Sequence, residues 1–163
     1  MVILGIDPGC ICAGYAVISK DGQRVMVNDY GCLKQSSTKS LPDRVRVFHD
    51  FLLEKITTYR ITHVALETPF LGKNAQNFLK LGYLRGIVYL LASQHSLEIL
   101  EFAPMQVKSA VTGFGGATKE QVARIIKQLF PALVWTSGED KYDVTDALAV
   151  TLCALWKNPR LVV

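Results

Sequence analysis

The sequence predicts an α/β domain, a single mixed sheet of five strands with helices on its faces. Three observations carry that prediction. The first forty residues contain three apolar runs, and Asp21-Gly22 sits between the second and third, a strong hairpin signal. Two later apolar runs each follow a stretch of helical period, the sequence form of β-α-β crossovers. Three further helical patterns close the chain with no strand among them, so they cover a sheet already made.

The elements follow in order. Strands are expected at 2–7, 13–19 and 24–33. QSSTKS is a loop, and Ser40-x-x-Asp43 resembles a capping box for a helix with Leu41, Val45, Phe48, Leu52, Ile56 and Tyr59 at helical spacing. THVALE is the fourth strand and ends at Glu67-Thr68-Pro69. A second helix, at about 74–93, carries Leu81, Leu84, Val88 and Leu91 on one face. LEILEF is the fifth strand. After Pro104 comes a short helix with Val107, Lys108 and Val111, broken by GFGGA. Thr118-x-x-Gln121 caps the next helix, striped by Val122, Ile125, Ile126, Leu129 and Phe130. The last helix begins near Asp140 and contains DVTDALAVTLCALW.

At 163 residues the chain suits one domain, expected to span 1–163, with a sizeable core. Its longest wholly apolar run in the second helix, IVYLLA, is far below the roughly 18 residues a membrane span needs, and no basic n-region precedes the apolar start. A cytoplasmic location is expected. Cys10, Cys12, Cys32 and Cys153 match no zinc spacing and are expected to be free thiols. The net charge is +4, and the excess lies between Phe70 and Phe130, with seven bases against three acids. A polyanion is a reasonable partner for that segment.

Chemistry enters with the acids. Asp7 ends the first strand and Glu67 the fourth. If these two strands lie parallel and adjacent, both carboxylates reach one edge, where open α/β sheets collect their ligands. Asp143 and Asp146 are three residues apart on one face of the last helix. Four converging acids repel one another unless a cation joins them. Oxygen donors without histidine favour Mg²⁺ or Mn²⁺ over zinc. Two such ions about 4 Å apart would suit in-line phosphodiester cleavage.

ILGIDPG, GYAVI, ALE with Phe70 after two intervening residues, KNA, KLGYLRG, QVK and DVTDALAV occur in that order from Ile3 to Val150. This series resembles the RuvC family, the bacterial crossover junction endodeoxyribonucleases with an RNase H-like fold. The likeness extends over nearly the whole chain, Val2 to about Trp156. The family's metal-binding acids fall on Asp7, Glu67, Asp143 and Asp146. The resemblance implies a homodimer that binds a four-way Holliday junction, nicks two opposed strands symmetrically with Mg²⁺, and leaves ends that ligase can seal. It also implies partnership with the branch-migration helicase complex of RuvA and RuvB. Phe70 matches an aromatic used against unstacked bases, and Lys108 and Lys119 match basic residues near the scissile phosphate. With the rest of the basic segment and the loop after Glu67, the expected DNA contacts are Phe70, Lys73, Asn74, Lys80, Arg85, Lys108 and Lys119. The dimer contact is expected on the second helix through Leu81, Tyr83, Leu84 and Val88. Cys10, Ala13 and Val144-Thr145 depart from the family's usual residues but leave the four acids intact.

Three other functions compete with this reading. An actin-like kinase needs a second domain for which 163 residues leave no room. A ribonuclease or transposase-like nuclease would share the acids. A junction-binding scaffold would gain nothing from four acids beside phosphate.

Overall fold

The computed structural model describes residues 1–69, 75–134 and 140–157, the side chains of residues 140 and 141 excepted. Its elements are β1 (Val2–Asp7), β2 (Cys12–Asp21), β3 (Arg24–Lys34), α1 (Leu41–Tyr59), β4 (His63–Glu67), α2 (Ala75–Gln94), β5 (Glu98–Phe102), α3 (Pro104–Thr112), α4 (Lys119–Leu129) and α5 (Asp140–Lys157). The order is the expected one. The five strands form one sheet in the order β3-β2-β1-β4-β5. β1 pairs antiparallel with β2 and parallel with β4, and β4 pairs parallel with β5. Asp21 is the last residue of β2 and faces Arg24, so the hairpin loop is Gly22–Gln23, one position beyond the expected turn.

Strand alternation sorts the core into two layers. Leu4, Ile6, Val64 and Leu66 face α1 and α2, where Phe48, Leu52, Leu84, Val88 and Leu91 are buried. Ile3 and Ala65 face the other side, against α3, α4 and α5. Asp7 and Glu67 share the parity of Ile3 and Ala65. Both strand-end carboxylates therefore belong to the face that α5 covers.

α5 can lie close because two glycines admit it. A Cβ on Gly5 would collide with Thr151 Oγ1 and stand 2.7 Å from the Ala147 carbonyl oxygen. A Cβ on Gly14 would collide with the Asp143 carbonyl. Thr145 and Thr151 are fully buried beneath this contact, and each donates its hydroxyl to its own helix, to Tyr142 O at 3.1 Å and Ala147 O at 2.6 Å. Buried hydroxyls so satisfied cost little.

The cysteine expectation needs correction. Cys12 and Cys32 are joined by a disulfide, with Cα atoms 6.0 Å apart, while Cys10 and Cys153 are free thiols. Hairpin register explains the meeting. Gly14 pairs opposite Cys32, which leaves Cys12 diagonal to it on the neighbouring strand. Among the described residues no helix is long and apolar enough to cross a membrane.

Candidate active site

Three of the four expected acids line one cleft. Asp7, Glu67 and Asp146 share a cavity of about 240 Å³ with Pro104, Val107, Lys108, Lys119, Val122 and Ala149. Asp143 sits one turn before Asp146 on α5, near enough for its charge to act on Asp7. Its carboxylate also lies within 4.8 Å of the Cys12 and Cys32 sulfurs, but those are bonded to each other. A second hollow, about 160 Å³, adjoins the first. Asp7, Pro8, Glu67, Thr68, Pro69, Leu81, Arg85 and Pro104 line it.

Electrostatics show how poorly this arrangement suits bare carboxylates. Burial pushes the Asp7 carboxyl up from 3.8 to about 7, and the charges of Asp146, Asp143 and Glu67 add to that rise while Lys119 opposes it. Glu67 is raised as well, by burial first and then by Asp146, against the pull of Lys119 and Lys108. The ammonium of Lys119 donates to Asp146 Oδ2 at 2.7 Å. Burial works to lower the Lys119 pKa, but the Asp146 hydrogen bond and the surrounding acids outweigh it and hold the group protonated. A cation already occupies the mouth of the cluster in the form of a side chain. A hard divalent ion fits the same all-oxygen donor set.

A pH dependence follows. Asp7 has its ordinary pKa when unfolded and a raised one when folded, so the folded chain binds the extra proton between about 4 and about 7. Without metal, the stability that Asp7 contributes is fully present below that window and is lost as pH rises through it, up to about 4 kcal/mol. Urea unfolding in a chelator should show this decline, and millimolar Mg²⁺ should abolish it by binding the ionised form. A metal-free stability that is flat or rising from pH 5 to pH 8 would contradict the burial of Asp7.

The other expected residues divide. Lys108 is half-buried and lines the acid cleft, and Lys119 is at its mouth. Lys80 is half-buried on α2. Phe70, Lys73 and Asn74 lie outside the described residues. Arg85 is buried, 6% exposed, and its guanidinium is engaged by the chain itself. Its Nη1 donates to the Glu67 carbonyl oxygen at 2.6 Å, and its Nη2 donates to Tyr89 Oη at 2.9 Å and pairs with Glu101. Tyr89 Oη donates to the same Glu101 carboxylate at 2.8 Å. Arg85 therefore ties the end of β4, where Glu67 sits, to β5 and α2. Its replacement by alanine removes a donor from the Glu67 carbonyl and leaves the Glu101 carboxylate with Tyr89 alone, and should destabilise the fold by about 2 kcal/mol. Lysine, lacking the planar fork, should rescue little of this. Thermal unfolding of both variants measures it, and a wild-type midpoint would show that the network is dispensable.

The expected dimer contact is also revised. Leu84 and Val88 are 0% and 2% exposed and belong to the core of their own chain, while Leu81 lines the hollow beside Glu67. Tyr83 is exposed as expected. It shares the outer face of α2 with Leu79 and Leu90, which are 56% and 48% exposed, and a Cβ on Gly82 or Gly86 would meet only open space. The helix is apolar on two sides, and the side available to a partner is this one.

The family model for the crossover junction endodeoxyribonuclease RuvC matches residues 3–154. Among curated proteins, the chain is 40% identical over 161 residues to the crossover junction endodeoxyribonuclease RuvC of Chloroherpeton thalassium, covering 99% of this chain and 85% of that one. It is 44% identical over 155 residues to that of Chlorobium phaeobacteroides, covering 95% and 81%. Among solved structures, T. thermophilus RuvC in complex with a Holliday junction substrate superposes with a TM-score of 0.82 at 29% identity, covering 94% of this chain and 92% of that one.

Proposed function

The chain belongs to the RuvC family of crossover junction endodeoxyribonucleases, and from that premise we propose that it resolves four-way DNA junctions at the cleft of Asp7, Glu67, Asp143 and Asp146. The observation that carries this reading is the convergence of two strand-end acids and one helical pair, with Asp7 raised to about 7 in a cleft rimmed by lysines. The four carboxylates would hold Mg²⁺, two ions in the working complex, with Mn²⁺ as a substitute. When bound, the ions supply a nucleophilic oxygen at neutral pH and offset charge on the leaving oxygen of an in-line displacement.

The chain's own residues do the rest. Asp7 and Glu67 hold fixed positions because sheet pairing and Arg85 fix the strand ends beneath them. With a metal bound, Asp146 would hold the ion in place of the Lys119 ammonium. Lys119 and Lys108 are then the ammonium groups that would attract the phosphate. Phe70, Lys73, Asn74 and Lys80 are proposed as further contacts to the DNA strands. The nuclease is one domain over 1–163, acting in the cytoplasm on junctions moved by a branch-migration complex of the RuvA and RuvB kind.

The direct test incubates the chain and Mg²⁺ with a four-way junction, a plain duplex and an RNA–DNA hybrid. Paired nicks in the junction, with the duplex spared, are expected. Cutting of the hybrid alone would replace this reading with a ribonuclease.

A junction offers two equivalent strands, and one cleft per chain reaches one of them. An isologous pair of chains supplies both. The outer face of α2, with Leu79, Tyr83 and Leu90 around Gly82 and Gly86, is the proposed contact. Tyr83→Glu places an unpaired charge there without touching the core. It should sediment as a monomer and convert a cruciform plasmid to nicked circles rather than linear product. A monomer that still linearises the plasmid would rule out the dimer.

A further inference from the structure

α3 ends at Thr112, and Gly113 caps it in the left-handed region with φ 78°. The turn that follows carries an aromatic ring the core does not use. Phe114 is 65% exposed, and Met105, packed against the next residue Gly115, is 69% exposed. The backbone beneath the ring is nevertheless fixed. Phe114 N–H donates to Thr112 Oγ1 at 3.1 Å, and Ala117 N–H donates to the Phe114 carbonyl at 3.2 Å. The Thr112 hydroxyl itself lies 2.8 Å from the Lys108 carbonyl oxygen and 3.0 Å from that of Phe114. A hydrogen-bonded turn thus holds a large apolar side chain out in water.

Beside the ring is a cleft of about 230 Å³ lined by Thr112, Phe114, Ala117, Gln121, Arg124 and Ile125. Phe114 and Ile125 give it apolar walls. Gln121 accepts the Thr118 N–H through Oε1 at 2.8 Å, which leaves its amide nitrogen as the donor it can offer. Arg124 brings a positive charge. The cleft and the acid site are built on the same helix, for Gln121 of α4 lines one, Val122 lines the other, and Lys119 at the start of α4 reaches Asp146.

We propose that this cleft receives an unstacked nucleobase of the bound junction, close to the strand that is cut. Phe114 lies against the face of the base, Gln121 meets its edge, and Arg124 meets an adjoining phosphate. The inference rests on the nuclease reading above. The lining selects the occupant. A phosphate alone would leave Phe114 without a partner, and a purely apolar group would strand Gln121 and Arg124, whereas a nucleotide satisfies all three. Extruding a base is also least costly where stacking is already interrupted, as at a point of strand exchange. Edge contacts distinguish one base from another, so the cleft contributes to sequence preference at the cut.

The test is a scan of junctions that each lack one base near the cut, with binding measured in the Asp7→Asn background so that the strands stay whole. One position should exist where the missing base weakens binding about tenfold. At that position the loss should vanish when Phe114→Ala is added and return with Phe114→Trp. Phe114 is exposed, so both variants should keep the thermal midpoint of their parent. Identical responses with Phe114 and with Phe114→Ala at every position would overturn the cleft while leaving the nuclease reading intact. A wild-type chain that neither binds nor cuts junctions would overturn the nuclease reading itself.

Discussion

Asp7→Asn should stop strand cutting, by about a thousandfold or more, while junction binding persists or tightens. The amide keeps the shape of the carboxylate, and Asp7 pairs opposite Gly14 at the end of β1, so the strand itself loses nothing. What is lost is a deeply buried charge of the four-acid donor set. Removing a single neutral donor to a developing charge already costs about 10²–10³ in rate, and a full ligand charge should cost at least as much. Binding should not suffer, because the missing negative charge no longer repels phosphate. The variant should also be more stable than wild type in chelator at pH 8, since it avoids ionising a group whose pKa is raised to about 7. For a chain of this size a gain of 1 kcal/mol corresponds to about 2–4 °C in Tm. Added Mg²⁺ should then raise the wild-type midpoint far more than that of the variant. Full cutting by Asp7→Asn, or equal responses to Mg²⁺, would remove Asp7 from the metal site.

Gly14→Ala should be almost as damaging, although Gly14 touches no substrate. Its new Cβ would run into the backbone carbonyl of Asp143, so the first turn of α5 has to move off β2. Overpacking of this kind typically costs about 1–3 kcal/mol. The larger effect is on chemistry, because Asp143 and Asp146 ride on that turn, and a shift near 1 Å in a catalytic group can cost about a hundredfold. Cutting should therefore fall much further than stability does. Thermal unfolding and single-turnover cutting on the same preparation measure both. An alanine variant that cuts at the wild-type rate would show that α5 does not need its close seat on β2.

The elements and the acid quartet are legible in the sequence for identifiable reasons. A strand that follows a helical crossover can lie parallel to the first, which would bring Asp7 and Glu67 to one edge, and the spacing of Asp143 and Asp146 puts both on one helix face. The strand order itself, with β4 against β1, is a finding of the structure. Partners that are distant in sequence were less legible. Arg85 counted as a free positive charge because Glu101 and the Glu67 carbonyl meet it only once α2 has packed against β4 and β5. Leu84, Val88 and Tyr83 all sit on an apolar helix, and periodicity cannot say which side of such a helix turns inward. The Cys12–Cys32 pair did leave a signal, since a two-residue hairpin loop brings those positions across from each other within a residue or two. Phe114 left a weaker one. An aromatic inside a glycine-rich turn reads as part of the break, and only its exposure beside the Gln121 and Arg124 cleft brings it forward.

Crystals of the chain soaked in Mn²⁺ and measured at the manganese absorption edge show whether the four acids hold a metal. Anomalous density is expected about 2 Å from carboxylate oxygens of Asp7, Glu67, Asp143 and Asp146. The Lys119 ammonium is expected to leave Asp146. Saturating Mn²⁺ with no anomalous density there, and with the Lys119–Asp146 pair intact, would contradict the metal site.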